Sequence, residues 1–309
     1  MTIIDVHAHY FPPTFIDAFA RHGAGRRAWP EHPPELDARI KDLDAAQLQH
    51  QVLGLGHNQP YFDEVEASTM VARLANDLYA EATIRWSGRL AAFGAVPLPH
   101  IDEAIAEAVR CLDDLGFAGI GIGTTALRRP LSDPAFDPLW AELDRRRTAV
   151  FVHPVGTPDT FTTGMDAYML GPKFGGPQEA GLAAAHLVIS GVTRRFPGIR
   201  WIIAPMGGTL PYLWRRFEEM SESLGQHDWL AGDPGGELRK LYYDTTLTDD
   251  PGAYRFMIDT FGADRLVLGT DAPRVTATDW MNRVRAVPGI EAADMEGVLG
   301  GNASSVLRL

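Results

Sequence analysis

The sequence has almost no cysteine and no long apolar run. Cys111 is the single cysteine among 309 residues, which excludes an internal disulfide framework and leads us to expect a reducing, cytoplasmic location. We interpret Cys111 as a small apolar side chain packed in an amphipathic helix. The N-terminal residues lack a basic leader followed by an apolar core, and no apolar segment reaches the ~20 residues that span a bilayer. We therefore expect neither export nor membrane insertion.

Positive charge is also scarce. The chain has 28 lysines and arginines against 40 aspartates and glutamates, a formal charge of −12. Nucleic acid and anionic membrane surfaces are disfavoured as partners, because like charges would face each other. A small anionic substrate is still allowed, since a few clustered arginines can bind an anion inside an acidic protein. The apolar fraction of 45% is typical of a globular protein with a sizeable core.

Short runs of β-branched and small residues recur along the chain and alternate with amphipathic segments. The runs are residues 3–6, 51–55, 90–96, 118–122, 149–152, 200–204, 241–243 and 266–268. Eight such units predict an α/β fold with parallel strands, specifically a (β/α)₈ TIM barrel. A glycine-rich phosphate loop is missing after the first run, which disfavours an open dinucleotide-binding sheet. We interpret residues 1–309 as one domain.

Two connections are longer than usual. They cover residues 21–34 and 156–177, and each follows the end of a predicted strand. Long loops in a compact barrel are often functional and cover the active site. The alternative is a pair of surface insertions without a role in the site.

Titratable side chains stand at the carboxyl ends of three predicted strands. His7 and His9 end the first, His153 ends the fifth, and Asp271 ends the eighth. Alone, His153 could be a packed core histidine, and Asp271 could cap the helix that begins near residue 277. Strand ends meet at one face of a barrel, and three imidazoles with one carboxylate suit a divalent cation. The sequence therefore predicts a mononuclear metal site, with Zn²⁺ as the first choice and Mn²⁺ as the alternative.

Longer motifs around these positions resemble a known family. The segments DVHAHYFPP, VFVHP and LVLGTDAP resemble motifs of the amidohydrolase superfamily. Five further segments match family segments in the same order along the chain: RIKDLD, RCLDDLGFAGIGIGT, ISGVTRRFPGIRW, GGTLPYLWRR and GGNASSVLRL. Within it they resemble the branch that contains 2-amino-3-carboxymuconate-6-semialdehyde, γ-resorcylate and 5-carboxyvanillate decarboxylases. The likeness covers nearly the whole chain.

The resemblance implies roles for particular residues. His7, His9, His153 and Asp271 would be the metal ligands. Arg39 would be an active-site arginine that holds substrate and assists catalysis. Arg216 would reach into the site of a neighbouring subunit to hold a substrate carboxylate, which implies a homodimer. For both arginines the alternative is a solvated helix face, the usual environment of surface charge.

One position departs from the family pattern. Pro205 stands after the sixth strand, where the family has a histidine beside the metal-bound water. Proline has no titratable group, and loss of a positioned base typically costs ~10²–10⁴-fold in rate. Hydrolysis by a metal-bound water is therefore weakened. His57, at the end of the second strand, is the candidate that would replace the missing catalytic group.

Three functions fit these residues. The first is metal-dependent, non-oxidative decarboxylation of a small aromatic or unsaturated carboxylic acid, with the substrate chelated to the metal and Asp271 as proton shuttle. The second is hydrolysis or its reverse, a dehydrative ring closure, acting on a lactone, amide or ester. The third is a barrel that only binds a ligand, which the complete ligand set argues against.

Overall fold

The computed structural model describes residues 2–22, 35–156, 165, 167–223, 233–246, 248–307 and 309. Ten strands are formed in this part of the chain: β1 (Ile4–His9), β2 (His50–Gly54), β3 (Leu90–Ala95), β4 (Gly119–Gly123), β5 (Thr125–Ala126), β6 (Arg129–Pro130), β7 (Ala149–His153), β8 (Arg200–Ile203), β9 (Tyr242–Asp244) and β10 (Leu266–Val267). Strands β5 and β6 form a small antiparallel hairpin. The other eight form one parallel sheet in the order β1-β2-β3-β4-β7-β8-β9-β10.

The sheet closes between its two outer strands. The Val6 amide donates to the Leu268 carbonyl at 2.9 Å, and the segment after β10 continues the pairing at His7, His9 and Ala272. The β1–β2 register shifts between Asp5 and Ala8, an irregularity of the kind that re-aims side chains next to active sites. Closure with all-parallel pairing confirms the predicted TIM barrel, and the eight predicted runs are its eight strands.

Helices cover the outside of the barrel. They are α1 (Pro13–His22), α2 (Leu36–Ala45), α3 (Val65–Arg85), α4 (Ile101–Asp113), α5 (Asp137–Arg145), α6 (Gly176–Ile189), α7 (Val192–Arg195), α8 (Leu210–Ser223), α9 (Pro234–Leu238), α10 (Pro251–Phe261), α11 (Ala277–Arg285), α12 (Ala292–Glu296) and α13 (Asn302–Val306). In α4 the buried residues Ala104, Ala108 and Cys111 lie three and four positions apart, so one face packs on the strands. Cys111 is a free, buried thiol, as expected.

Apolar side chains fill the barrel beneath its carboxyl end. Phe93 and Phe151 stack with ring centroids 5.1 Å apart, and Val6, Val52 and Ile202 are fully buried in the same cluster. The Phe151 ring also meets the His7 ring edge-on at 5.0 Å. Because a packed interior leaves little room for movement, this cluster restricts the movement of the strand ends that lie above it.

Parts of both predicted loop insertions lie outside the described residues. Of residues 21–34, only the first two are described, and they end α1; the description resumes at residue 35, just before α2. Of residues 156–177, the segment Gly171–Gly175 forms a π-helix that continues into α6. Among the described residues, the helices are all too short or too polar to cross a membrane.

Candidate metal centre

Four side chains from three strand ends meet at the carboxyl face of the barrel. His7 and His9 lie on β1, His153 ends β7, and Asp271 follows β10. One ligand atom from each lies within 4.8 Å of the others. His9 Nε2 is 3.1 Å from His7 Nε2 and 3.1 Å from Asp271 Oδ1. The structure thus brings together the four residues that the sequence singled out as metal ligands.

The other ring nitrogen of each histidine faces an acceptor. His7 Nδ1 lies 2.5 Å from Asp244 Oδ2, His9 Nδ1 lies 3.0 Å from the Gly54 carbonyl, and His153 Nδ1 lies 2.7 Å from the Pro154 carbonyl. Carbonyl oxygens and ionised carboxylates only accept hydrogen bonds. A neutral histidine that donates to such an acceptor carries its proton on Nδ1, and its Nε2 then offers a lone pair to a cation.

These lone pairs make the centre suited to a cation. His7 Nε2 and His9 Nε2 are 3.1 Å apart, and their lone pairs repel unless a positive charge lies between them. Asp271 adds a negative charge on the same side, and the Asp271 side chain is only 10% exposed. Imidazole nitrogens held by acceptors on their far side, with a carboxylate, are the usual donors for Zn²⁺ and related divalent ions. The residues present therefore fit a divalent metal.

The surroundings shift the pKa values of the ligands. Burial disfavours charge on His7, but the Asp244 carboxylate outweighs it and raises the pKa of His7. Burial lowers the pKa of His153 well below its ordinary value, and the neighbouring His7 and His9 lower it further. Burial would raise the pKa of Asp271, yet the neighbouring His9 and His7 side chains, together with Arg274, keep that pKa below its ordinary value. The site therefore favours an ionised carboxylate and a neutral His153.

The backbone at Asp271 is unusual. Its φ is +62°, a left-handed conformation that non-glycine residues rarely adopt and that is found mainly at functional sites. The alternative role as a helix cap is wrong. Helix α11 is capped by Thr276, whose side chain accepts from the Asp279 amide, and the Ala277 amide donates to Asp42 at 2.6 Å.

His57 lies beside the metal ligands. Its ring centroid is 6.4 Å from the His9 ring and 6.4 Å from the His153 ring, and the residue is half-buried. Pro205 follows β8, and the amide of the next residue, Met206, donates to Asp244 Oδ1 at 3.1 Å. The segment after β8 thus supports Asp244 through the Met206 amide, while His57 brings an imidazole to the site from the segment after β2.

The two predicted arginines have different environments. Arg39 is 5% exposed, and its guanidinium donates to the His9 carbonyl at 2.6 Å and to Gln51 Oε1 at 2.9 Å. Arg216 is exposed on α8. A third arginine, Arg274, places Nη1 3.6 Å from Asp271 Oδ2 and was not singled out from the sequence. The substrate-binding roles of Arg39 and Arg216 stay predictions.

Sequence reasoning also missed the residues that hold the ligands in place. Asp244 ends β9, and Thr246 donates to its carboxylate at 2.8 Å while lying 2.9 Å from His7 Nδ1. Asp5, inside β1, accepts from the His7 amide at 3.0 Å. The strand-end rule that selected Asp271 applies equally to Asp244. Asp5 gives no such signal, because it lies in the middle of a strand.

Comparison with known proteins identifies relatives over the whole chain. The amidohydrolase family model matches residues 4–309. The γ-resorcylate decarboxylase of Rhizobium radiobacter is 29% identical over 271 residues, which cover 80% of this chain and 80% of the relative. These matches confirm the resemblance seen in the motifs.

Solved structures share the fold. The 5-carboxyvanillate decarboxylase from Sphingomonas paucimobilis superposes with a TM-score of 0.91 at 21% identity, covering 100% of this chain and 99% of that chain. A dihydroxybenzoic acid decarboxylase from a Polaromonas species, solved with manganese and the inhibitor 2-nitroresorcinol, gives a TM-score of 0.87 at 22% identity and covers 99% and 96% of the two chains.

Proposed function

Because the chain belongs to the amidohydrolase family, we propose that it is a metal-dependent, non-oxidative decarboxylase of a small aromatic carboxylic acid. The observation that carries the proposal is the convergence of His7, His9, His153 and Asp271 within 4.8 Å. The substrate class is supported by the γ-resorcylate decarboxylase relative, whose substrate is a hydroxybenzoic acid. A carboxylate with a hydroxyl on the adjacent ring carbon can chelate one cation through both oxygens. The substrate is therefore an ortho-hydroxylated aromatic acid.

A bound divalent cation supplies a Lewis acid that anchors and polarises such a substrate. The protein residues then handle the proton, because replacing CO₂ by hydrogen requires one proton at the ring carbon that loses the carboxylate. Asp271 has one oxygen toward His7 and His9 and its other oxygen toward Arg274. The second oxygen does not face the histidines, so Asp271 takes up a proton from solvent at this oxygen and passes it to the ring carbon as the carbon–carbon bond to the departing CO₂ breaks. His57 is the second proton-transfer group, since its ring lies next to two ligands.

Pro205 favours this chemistry over hydrolysis. Hydrolysis needs a positioned base to activate water, and Pro205 cannot supply one, so that role would fall to His57. Decarboxylation of a substrate that itself binds the cation needs a proton donor instead. The dehydrative cyclase is the second candidate on the same observation, because in ring closure a group of the substrate attacks the polarised carbonyl and no base is needed to activate water as the nucleophile.

We also propose a homodimer in which Arg216 of one subunit holds the substrate carboxylate in the other. Arg216 follows Tyr212 and Leu213 by four and three positions on α8, so the three share one helix face. Tyr212 is 66% exposed and Leu213 43% exposed. Exposed apolar side chains continue onto α6 and the segment before it, at Leu182, Tyr168, Met169, Leu170 and Phe174. A second copy of the chain would cover this face, and sedimentation velocity should give twice the 33.8 kDa chain mass.

For the metal we propose Zn²⁺ first, because three imidazoles are typical zinc donors. Mn²⁺ is the alternative, supported by the manganese in the Polaromonas structure. We further propose a cytoplasmic location, supported by the free buried thiol of Cys111.

The test is product analysis with metal-loaded protein on a panel of ortho-hydroxybenzoates, including 2,6-dihydroxybenzoate. We expect loss of CO₂, read by mass spectrometry, activity abolished by chelation and restored by the cation, and no activity in His153→Ala. The matched control is His186→Ala. His186 lies on α6, where its ring is hydrogen-bonded to Ser132, so this variant should keep full activity. A change by one water without loss of CO₂ would contradict decarboxylation: loss of water would support the cyclase, and gain of water would support a hydrolase.

A further inference from the structure

Arg39 and two partners form a buried polar network behind the metal centre. Arg39 lies on α2, and its guanidinium donates to Gln51 on β2, whose Nε2 donates to Asp5 Oδ2 at 2.7 Å. Asp5 and Gln51 are fully buried, and Arg39 is 5% exposed. Burial lowers the pKa of Arg39 to about 10, so the guanidinium is still charged at neutral pH. A buried cation and carboxylate joined through an amide are retained only when their hydrogen bonds are satisfied.

Each end of the network bonds to the backbone around a metal ligand. Asp5 Oδ1 accepts from the His7 amide at 3.0 Å and from the Thr270 amide at 3.0 Å. Thr270 also donates its hydroxyl to Asp5 Oδ2 at 2.7 Å and immediately precedes Asp271. At the other end, Arg39 donates to the His9 carbonyl at 2.6 Å. Three of the four ligands are thereby tied to one network, and His153 on β7 is not.

Burial, more than its hydrogen bonds, limits the access of a substrate to Arg39. Two of its five N–H groups donate to protein acceptors, Nε is buried without a partner, and the whole residue is only 5% exposed.

We propose that Arg39 is a positioning residue which, with Gln51 and Asp5, fixes the backbone of His7, His9 and Asp271 and does not touch the substrate. This inference rests on the proposed metal site, and it replaces the predicted substrate-binding role of Arg39. Its physical basis is that ligands must be held to a fraction of an ångström for productive geometry, and an error of ~1 Å costs ~10²-fold in rate.

The first experiment needs no metal. Amide hydrogen exchange is compared in wild type, Arg39→Lys and Gln51→Met, with Arg85→Lys as the matched control, because Arg85 is an exposed arginine paired with Asp37 of α2. We expect faster exchange in residues 4–9 and 268–272 in the two network variants, and unchanged exchange in 149–153. Unchanged exchange around β1 and Asp271 in folded variants would overturn the inference, even if wild type proved to bind no metal.

The second experiment separates positioning from substrate contact. For the same proteins we would measure the Mn²⁺ dissociation constant, and kcat and KM with the ortho-hydroxybenzoate that wild type decarboxylates. We expect both network variants to bind Mn²⁺ ~10–100-fold more weakly, the range for partners of metal ligands, and to lose kcat at saturating metal with KM unchanged. A raised KM in Arg39→Lys alone, with wild-type metal affinity, would overturn the inference and restore the substrate-binding role. Wild type that binds no Mn²⁺ would instead contradict the proposed function.

Discussion

The three histidines of the metal centre differ in what holds their outer nitrogen. His9 and His153 face backbone carbonyls, whereas His7 faces the Asp244 carboxylate and the Thr246 hydroxyl. A carboxylate makes the imidazole a stronger electron donor than a carbonyl does, and it fixes the ring more firmly because the hydrogen bond is charge-assisted. His7 is therefore the ligand whose metal bond depends most on a second side chain.

We predict that Asp244→Asn weakens metal binding ~10–100-fold, the usual effect of losing such a partner. The neutral amide removes the negative charge and can also turn its NH₂ group toward Nδ1, which would favour the wrong tautomer. Isothermal titration with Zn²⁺ or Mn²⁺ measures the change. Asp259→Asn is the control, since Asp259 is an exposed carboxylate 4.0 Å from Arg255. Equal affinity in Asp244→Asn and wild type would show that Asp244 does not support His7.

At the scale of elements, the end of β2 and the turn that follows it hold the His9 ring in place. The Gly54 carbonyl accepts from His9, and Gly56 has φ +53° with its bare Cα against the His9 ring. A Cβ at Gly56 would lie 2.3 Å from His9 Cε1, closer than any real contact allows. Glycine at this position is thus required both by the backbone conformation and by the imidazole.

Gly56→Ala and Gly88→Ala separate these two requirements. Both glycines have positive φ, but a Cβ at Gly88 meets nothing within 4 Å. We expect each variant to lose ~1 kcal/mol or more of unfolding free energy from left-handed backbone strain, measured by urea denaturation. Gly56→Ala alone should also lose its metal in equilibrium dialysis. Full metal occupancy in Gly56→Ala would contradict the packing of His9 against this turn.

The sequence predicted the ligand residues at the strand ends, but it did not predict the residues that hydrogen-bond to those ligands. The two-residue spacing placed His7 and His9 on one side, and their rings are 4.9 Å apart. The link from His7 to Asp244 spans 237 positions, and it depends on where β9 sits relative to β1, which periodicity does not determine. The burial of Arg39 rules out the alternative of a solvated helix face, and the sequence could not predict it, because an arginine on a helix gives the same pattern whether its guanidinium faces solvent, the cavity or the strands.

At the scale of the whole molecule, closure of the sheet assembles the centre. His7 and Asp271 are 264 residues apart in the chain (271 − 7), yet the Asp271 amide donates to the His7 carbonyl at 2.8 Å where β10 meets β1. His153 lies at the end of β7, the fifth of the eight strands in the sheet order. In an open sheet with the same strand order, β1 and β10 would be the two opposite edges, and His7 would lie far from Asp271. The closed fold, predictable from eight alternating units, is therefore the condition for the site.

Anomalous diffraction from a crystal of the metal-loaded protein with an ortho-hydroxybenzoate bound tests the central claim most directly. Data collected at the absorption edge of the added Mn²⁺ or Zn²⁺ should show one strong peak per chain, within bonding distance of His7 Nε2, His9 Nε2, His153 and Asp271, with the substrate carboxylate on the same ion. A peak elsewhere, or an ordered acid bound while these four side chains hold no ion, would contradict it.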